Sequence, residues 1–290
     1  MRARLYGALN YFQNIYLNLL AGNLRVLAYH TVHDPAKFEK QLHYLKEHFH
    51  LIDLHTLKNH LNKGEKLPKR SLLITFDDGD ISVFENGLPL FKKYKIPSIL
   101  FVITKLIDTS DPYWWDQIRY YLGGDEGHKK SWEAKTWKNE ERLDYLEKLA
   151  GNSEKPQLKK DQLNNIQLKQ LREAGMQIAN HSHTHPMFDR CTEQELKYEI
   201  SSSSKLLADF GFHKNVFAYP NGNYDPKAEN ILKKEGIEMA FLFDHKVNPK
   251  TIHPLRISRI RVDSDTDIKE FKVKVSGFHS FLYHNLRKRN

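Results

Sequence analysis

Two short stretches hold most of the chemistry open to this chain. Thr75-Phe76-Asp77-Asp78-Gly79 ends the apolar run Ser71-Leu72-Leu73-Ile74. Roughly a hundred residues later, His181-Ser182-His183-Thr184-His185-Pro186 places three imidazoles within five positions. Adjacent carboxylates at a strand end repel each other and resist desolvation, and a shared cation relieves both problems. His181 and His185 have the i, i+4 spacing that lets two imidazoles chelate one ion from a turn or loop. Nitrogen and carboxylate donors favour Zn2+, while Co2+, Ni2+ and Mn2+ also fit. A carboxylate left over beside such an ion is what metal-assisted hydrolysis requires.

The elements that must position these residues are short and alternate in type. Apolar strands are predicted at Arg25–His30, Ser71–Phe76, Ile99–Ile103, Gln177–Ala179, Val216–Tyr219 and Met239–Phe243. Helical spacing links Phe38, Leu42, Leu45 and Phe49, and recurs at Leu54–Leu61, Leu163–Ala174, Thr192–Phe210 and Pro226–Lys234. Thr192 with Glu195 has capping-box spacing, and Gly87 and Pro89 weaken the helical stretch after Gly79. Ile268, Phe271, Val275, Phe278 and Leu282 predict one closing helix that ends in Arg287-Lys288-Arg289. Repeated strand–helix alternation predicts a mostly parallel α/β fold, with His30, Asp77, Asp78 and His181 converging on one rim. Residues 108–162 break the alternation with Tyr113-Trp114-Trp115-Asp116, a Gly123-Gly124 step and a charged helical stretch, and read as an insertion.

Composition narrows the class. The chain has 290 residues, 40% hydrophobic and 28% charged, as a globular protein has. The net charge of +9 reads as a lysine-rich surface or as attraction to an anionic membrane or glycan precursor. No nucleic-acid-binding motif accompanies it, so no nucleic-acid partner is expected. Cys191 is the only cysteine, which excludes an intrachain disulfide. Leu5, Leu9, Phe12, Tyr16, Leu19 and Leu20 mark residues 1–24 as an amphipathic helix that covers the body of the protein or lies on a membrane surface. Asn10, Gln13, Asn14 and Asn18 interrupt its apolar character, so neither a secretory signal nor a spanning helix is predicted. A cytoplasmic location is expected, with the inner face of the membrane as the variant of it.

These residues resemble the polysaccharide deacetylase family, also called the NodB-homology family of carbohydrate esterases. Thr75–Gly79 stands as the family's first motif unchanged, and His181–His185 as its His-Ser/Thr-x-x-His motif. The resemblance runs from about Leu27 to Val262 and implies a distorted (β/α) barrel with fewer than eight repeats and a helical insertion. It places a deacetylase domain at 25–265 and a C-terminal helix at 266–290. Asp77 would be the general base, with Asp78, His181 and His185 as metal ligands; His183 has no family role. Of the third motif, Arg-x-Pro-Tyr/Phe, the chain keeps Tyr219-Pro220-Asn221 but has Ala218 where the arginine would stand. The backbone N–H of Asn221 falls at the family's oxyanion position, with Tyr219 beside it, and Arg259 or Arg256 could replace the missing arginine. The late Leu-x-His motif is not evident, and His253 matches it poorly. Tyr29-His30, however, resembles a pair at the first strand of the poly-N-acetylglucosamine deacetylase branch, which makes His30 the candidate acid.

Trp115, with Trp114, would stack on a sugar ring or pack as core, and Asp80 would meet substrate or cap the next helix. The implied function is metal-dependent removal of N-acetyl groups from an acetylated amino-sugar glycan or its precursor. Two alternatives stay open: an amidohydrolase acting on a non-sugar amide, and a catalytically silent glycan-binding protein.

Overall fold

The computed structural model describes the backbone of residues 2–287 and the side chains of residues 9 and 12–283. Eight strands form one sheet: β1 (Arg25–Tyr29), β2 (His50–Leu51), β3 (Ser71–Phe76), β4 (Ser98–Val102), β5 (Met176–Asn180), β6 (His213–Ala218), β7 (Met239–Phe241) and β8 (Ile260–Arg261). All pairings are parallel, in the order β7-β6-β5-β4-β3-β1-β8, with β2 set against the start of β3. The two ends of this order meet through one segment. Ile257 bridges Phe241, donating to Ala240 O at 2.9 Å, and three residues later β8 pairs with Leu27 and Ala28. Residues 254–261 therefore form a seam that closes the curled sheet into a distorted barrel.

Strand alternation sorts the side chains into two layers. Val26, Leu73, Ile99, Phe101, Ala179, Val216, Ala218, Met239 and Phe241 share the interior of the barrel. Their neighbours Leu27, Tyr29, Ile74, Phe76, Leu100, Val102 and Ile178 face outward under the helices. Tyr29, Phe38, Phe76 and Phe91 meet there as an aromatic cluster with ring centroids 5.1–6.1 Å apart. Phe76 thus anchors the residue before Asp77, and truncating so buried an aromatic costs about 3–5 kcal/mol.

The helices are α1 (Arg2–Leu19), α2 (Pro35–His48), α3 (Leu54–Lys63), α4 (Leu88–Tyr94), α5 (Trp114–Leu122), α6 (Gly124–Glu133), α7 (Asn139–Gly151), α8 (Asn165–Glu173), α9 (Glu193–Asp209), α10 (Pro226–Lys234), α11 (Ile268–Ser276) and α12 (Phe278–Arg287). The Thr192–Glu195 capping box starts α9. The single closing helix expected from the sequence is in fact two, α11 and α12. Gly277 breaks it with a left-handed φ of 92°, and a Cβ there would lie 2.9 Å from Leu20 Cδ1. The apolar period continues across this break because Phe271 and Val275 are buried in α11 while Phe278 and Leu282 are partly buried in α12.

Helices α5–α7 form the insertion. It packs on the rim through a small core of Trp114, Ile118, Ala134 and Met187, the last contributed by the segment after the histidine loop. Helix α1 buries Leu17 and leaves Phe12, Ile15 and Leu19 exposed. Among the described residues no helix is long and apolar enough to cross a membrane.

Candidate active site

The inward register of Leu73 and Thr75 carries on to Asp77, whose N–H donates to Tyr29 O at 2.9 Å. Its carboxylate meets Arg259, which reaches across the barrel from the seam. Nη1 donates to Oδ1 at 2.6 Å and Nη2 to Oδ2 at 2.8 Å. Arg259 is itself held by donating from Nε to Leu242 O at 2.7 Å and from Nη1 to Thr75 Oγ1 at 3.1 Å. The guanidinium is fully buried. Burial disfavours the charge on Asp77, but Arg259 outweighs it and holds the carboxyl below its usual range. Arg256, the other candidate for this role, lies outside the barrel and pairs with Glu229 at 2.7 Å.

Asp78 and Gly79 follow with left-handed φ of 71° and 79°. Asp78 thereby breaks the strand register, and its Oδ1 lies 3.3 Å from His181 Nε2 and 3.5 Å from His185 Nε2. Ser182 and His185, with φ of 68° and 59°, and Asn221, at 54°, also sit in the left-handed region. Non-glycine residues avoid that region unless their surroundings fix it, so backbone strain is concentrated at this rim.

The histidine loop is held by hydrogen bonds at most turns. His181 Nδ1 donates to Ala218 O at 2.9 Å, which leaves Nε2 to face Asp78. Ser182 Oγ accepts from His185 N at 3.0 Å, and Trp114 Nε1 donates to His185 O at 3.1 Å. Buried Glu199 on α9 accepts from His183 N (2.9 Å), Thr184 N (2.8 Å) and Thr184 Oγ1 (2.6 Å). Burial works against charge on His181, yet the Asp77 and Asp78 carboxylates prevail and raise it. For His185 burial wins, and the group is pushed down to about 3. Asp78 is lowered despite burial by the neighbouring imidazoles, His181 first and then His185 and His30.

Asp78, His181 and His185 place three ligand atoms within 4.8 Å of one another. Asp78 Oδ1 is buried and makes no hydrogen bond. An orphaned carboxylate oxygen between two imidazole nitrogens, one already locked by a backbone carbonyl, fits a divalent cation of the zinc type.

The remaining predicted residues divide. His30 follows β1 with inward register, packs edge-on to Phe243 at 5.4 Å and acts electrostatically on both Asp77 and Asp78. Trp115 stands over the site, 5.0 Å from the His185 ring and stacked on Tyr113 at 4.7 Å, whereas Trp114 is core. Asn221 sits in an exposed turn, where its Oδ1 accepts from Lys135 at 2.9 Å. Tyr219 does not meet substrate through its side chain. Strand alternation turns the ring outward, fully enclosed beside Phe188, Phe217 and Tyr224. Asp80 is committed to the next turn, accepting from Ser82 N and Oγ at 3.0 and 2.6 Å. His183, half-buried, hydrogen-bonds Thr104 Oγ1 at 2.9 Å.

Sequence reasoning passed over Glu199 and two cations of the insertion, Lys135 and Arg142. Glu199 did leave a signal: it is a carboxylate on the apolar face of α9, beside Leu196 and Ile200.

Comparison with known proteins agrees with this geometry. Residues 64–240 match the family model described as polysaccharide deacetylase. A Staphylococcus aureus poly-beta-1,6-N-acetyl-D-glucosamine N-deacetylase is 25% identical over 282 residues, covering 94% of this chain and 83% of its own. The enzyme of the same description from Staphylococcus epidermidis is 28% identical over 286 residues, covering 91% and 82%. Among solved structures, the Streptococcus pyogenes deacetylase PplD aligns with a TM-score of 0.64 at 18% identity, over 88% of this chain and 98% of its own. IcaB from Ammonifex degensii aligns with a TM-score of 0.64 at 22% identity, over 88% and 97%. At those identities the two structures speak for the fold.

Proposed function

The chain belongs to the polysaccharide deacetylase family, hydrolases of amide C–N bonds, and from that premise we propose that it removes N-acetyl groups from an amino-sugar glycan or glycan precursor in a metal-dependent reaction. One observation carries this reading. A buried three-ligand cluster and a separate, arginine-clamped carboxylate occupy one barrel mouth. The names of the staphylococcal relatives support the choice of an N-acetylhexosamine substrate.

A divalent ion held by Asp78, His181 and His185 would supply Lewis-acid polarisation of the acetyl carbonyl and acidify a water. Asp77 is placed to accept the proton of an attacking water as it adds to the carbonyl carbon. The two-pronged hold of Arg259 keeps Asp77 ionised and stops it rotating, so it is always presented as an acceptor. The main-chain N–H of Asn221 donates to the carbonyl oxygen as it gains charge. His30 then protonates the nitrogen as the C–N bond breaks, and acetate and a free amine leave. Trp115 offers the sugar ring a flat apolar face.

The test is acetate release from β-1,6-linked N-acetylglucosamine oligomers by metal-stripped and zinc-restored protein. Activity is expected only after zinc is restored, and Asp77→Asn is expected to retain zinc while losing about 100-fold or more in kcat. Full turnover without metal, or by zinc-loaded Asp77→Asn, overturns the mechanism. Faster release from small non-sugar amides would move the substrate class, and binding of oligomers without any release would make the chain a lectin-like relative.

A further inference from the structure

Among the described residues three arginines are deeply buried, and their surroundings differ. Arg259 is paired with the Asp77 carboxylate. Arg25 donates to four backbone carbonyls, those of Leu20, Asn23, Val275 and Ser276. Arg142, on α7 of the insertion and only 2% exposed, donates to one neutral acceptor, Asn139 Oδ1 at 2.6 Å. Its guanidinium otherwise lies over the Trp114 ring at 4.8 Å, and it makes no ion pair among the described residues. Glu199 and Glu195 favour its charge from a distance, but burial outweighs them. A buried cation without a contacting anion is disfavoured, unless a ligand brings the anion.

Arg142 borders a cavity of about 620 Å3 that reaches His185 and Trp115. Lys105 and Lys155 border the same cavity, and among the described residues Lys105 has no ion pair either. Lys155 is tethered by the carbonyls of Tyr120 and Tyr121. The one acid on the lining, Asp111, faces Lys159 at 3.9 Å. Tyr113 Oη, also on the lining, is buried without a hydrogen-bond partner. The cavity thus presents donors and positive charge in excess of acceptors. It also adjoins the metal-binding loop, since the ring that Arg142 covers is the one that bonds His185 O.

We propose that this cavity receives an anionic group, a phosphate or carboxylate carried next to the acetamido sugar, so that the substrate is an anionic amino-sugar conjugate rather than a neutral N-acetylhexosamine chain. The proposal rests on the deacetylase reading above and names its substrate class. Arg142 supplies the planar two-donor fork suited to an oxyanion, and Lys105, exposed on the lining, a point charge.

Matched substrates test it on the zinc-loaded full chain. One pair is N-acetylglucosamine 1-phosphate and the methyl N-acetylglucosaminide; the other is N-acetylglucosamine joined to a hexuronate and to the corresponding neutral hexose. In at least one pair the anionic member should show a kcat/KM about tenfold or more above its neutral partner. The responding pair identifies phosphate or carboxylate. Arg142→Gln should erase that preference by raising KM for the anionic member alone. Lys105→Gln, at an exposed position where folding is not in question, should reduce it in part. Equal kcat/KM within both pairs overturns the proposal. So does an Arg142→Gln protein that loses equally on both members, since the arginine would then be a prop for Trp114. Calorimetric titration of N-acetylglucosamine 1-phosphate and of the hexuronate disaccharide into the zinc-free chain separates this idea from the deacetylase reading. Binding that Arg142→Gln abolishes supports the anion site even if no substrate releases acetate, and absence of binding to the wild type counts against it.

Discussion

Replacing Arg259 with methionine removes a guanidinium that is itself 0% exposed from its two-pronged pair with an Asp77 side chain that is 4% exposed. With so little solvent to screen the pair, breaking it should destabilise the fold by about 3–5 kcal/mol at neutral pH. The loss also has a definite sign with pH. In the wild type the folded carboxyl titrates below its usual value of about 3.8. Its stabilising contribution is therefore complete above that value and is lost as pH falls through the lower, folded one. In Arg259→Met burial is opposed only by the His181 and His30 imidazoles, and the folded value should rise above the unfolded one. The variant is then least penalised below the unfolded value. It loses stability as pH rises from the unfolded value to the folded one, by about 1.4 kcal/mol for each pH unit between them. Urea unfolding of metal-stripped protein between pH 4.5 and 8 should show the two curves diverging as pH increases. The hydrogen bonds lost to Thr75 and Leu242 contribute only a constant offset. In an Asp77→Asn background the divergence should vanish, giving a coupling of at least about 2 kcal/mol at pH 7 in a double-mutant cycle. A constant difference at every pH, with additive single and double variants, would refute the assignment of Arg259 as the partner that keeps Asp77 charged.

Other outcomes follow from the same geometry. His181→Ala should lose zinc as well as activity, in contrast to Asp77→Asn, as metal analysis after gel filtration would reveal. Zinc binding near pH 6.5 should release protons, more than half of one per ion bound. They come from His181, whose protonated form the two aspartates favour, and not from His185, pushed down to about 3. Titration calorimetry in buffers of different ionisation enthalpy measures them, and no release would show that His181 is neutral beforehand. Glu199→Gln should weaken zinc affinity about tenfold or more, because three short hydrogen bonds shape the ligand loop without touching the ion.

Much of this was legible in the sequence because strand ends announce themselves. An apolar run that stops at Asp77-Asp78, and another that stops at His181, point to one rim as soon as the sheet is parallel. The two-residue period even fixed which side Tyr219 would take, although its place in a motif suggested otherwise. What could not be read was contact across the barrel. Arg256 and Arg259 stand three residues apart in one segment, and only the curl of the sheet sends one to Glu229 outside and the other to Asp77 inside. The break at Gly277 was hidden by an apolar pattern that both flanking helices share. The cavity around Arg142 arises where the insertion meets the rim, through pairings such as Asn139 with Glu195 that no local pattern encodes.

The seam at 254–261 gives the barrel a property that its catalytic motifs alone do not. The family match ends at residue 240, before Arg259, so the residue that charges the proposed base lies outside the region that identifies the chain. Two chains that match the family equally well up to that point could differ entirely in whether Asp77 is a working base. Within one chain, the order of assembly matters in the same way. Until the last parallel strand has docked, the metal ligands can already be gathered while Asp77 stays uncompensated. Pairing of β8 with β1 would then complete the Arg259–Asp77 contact, so closure of the barrel and the charge on Asp77 depend on the same segment.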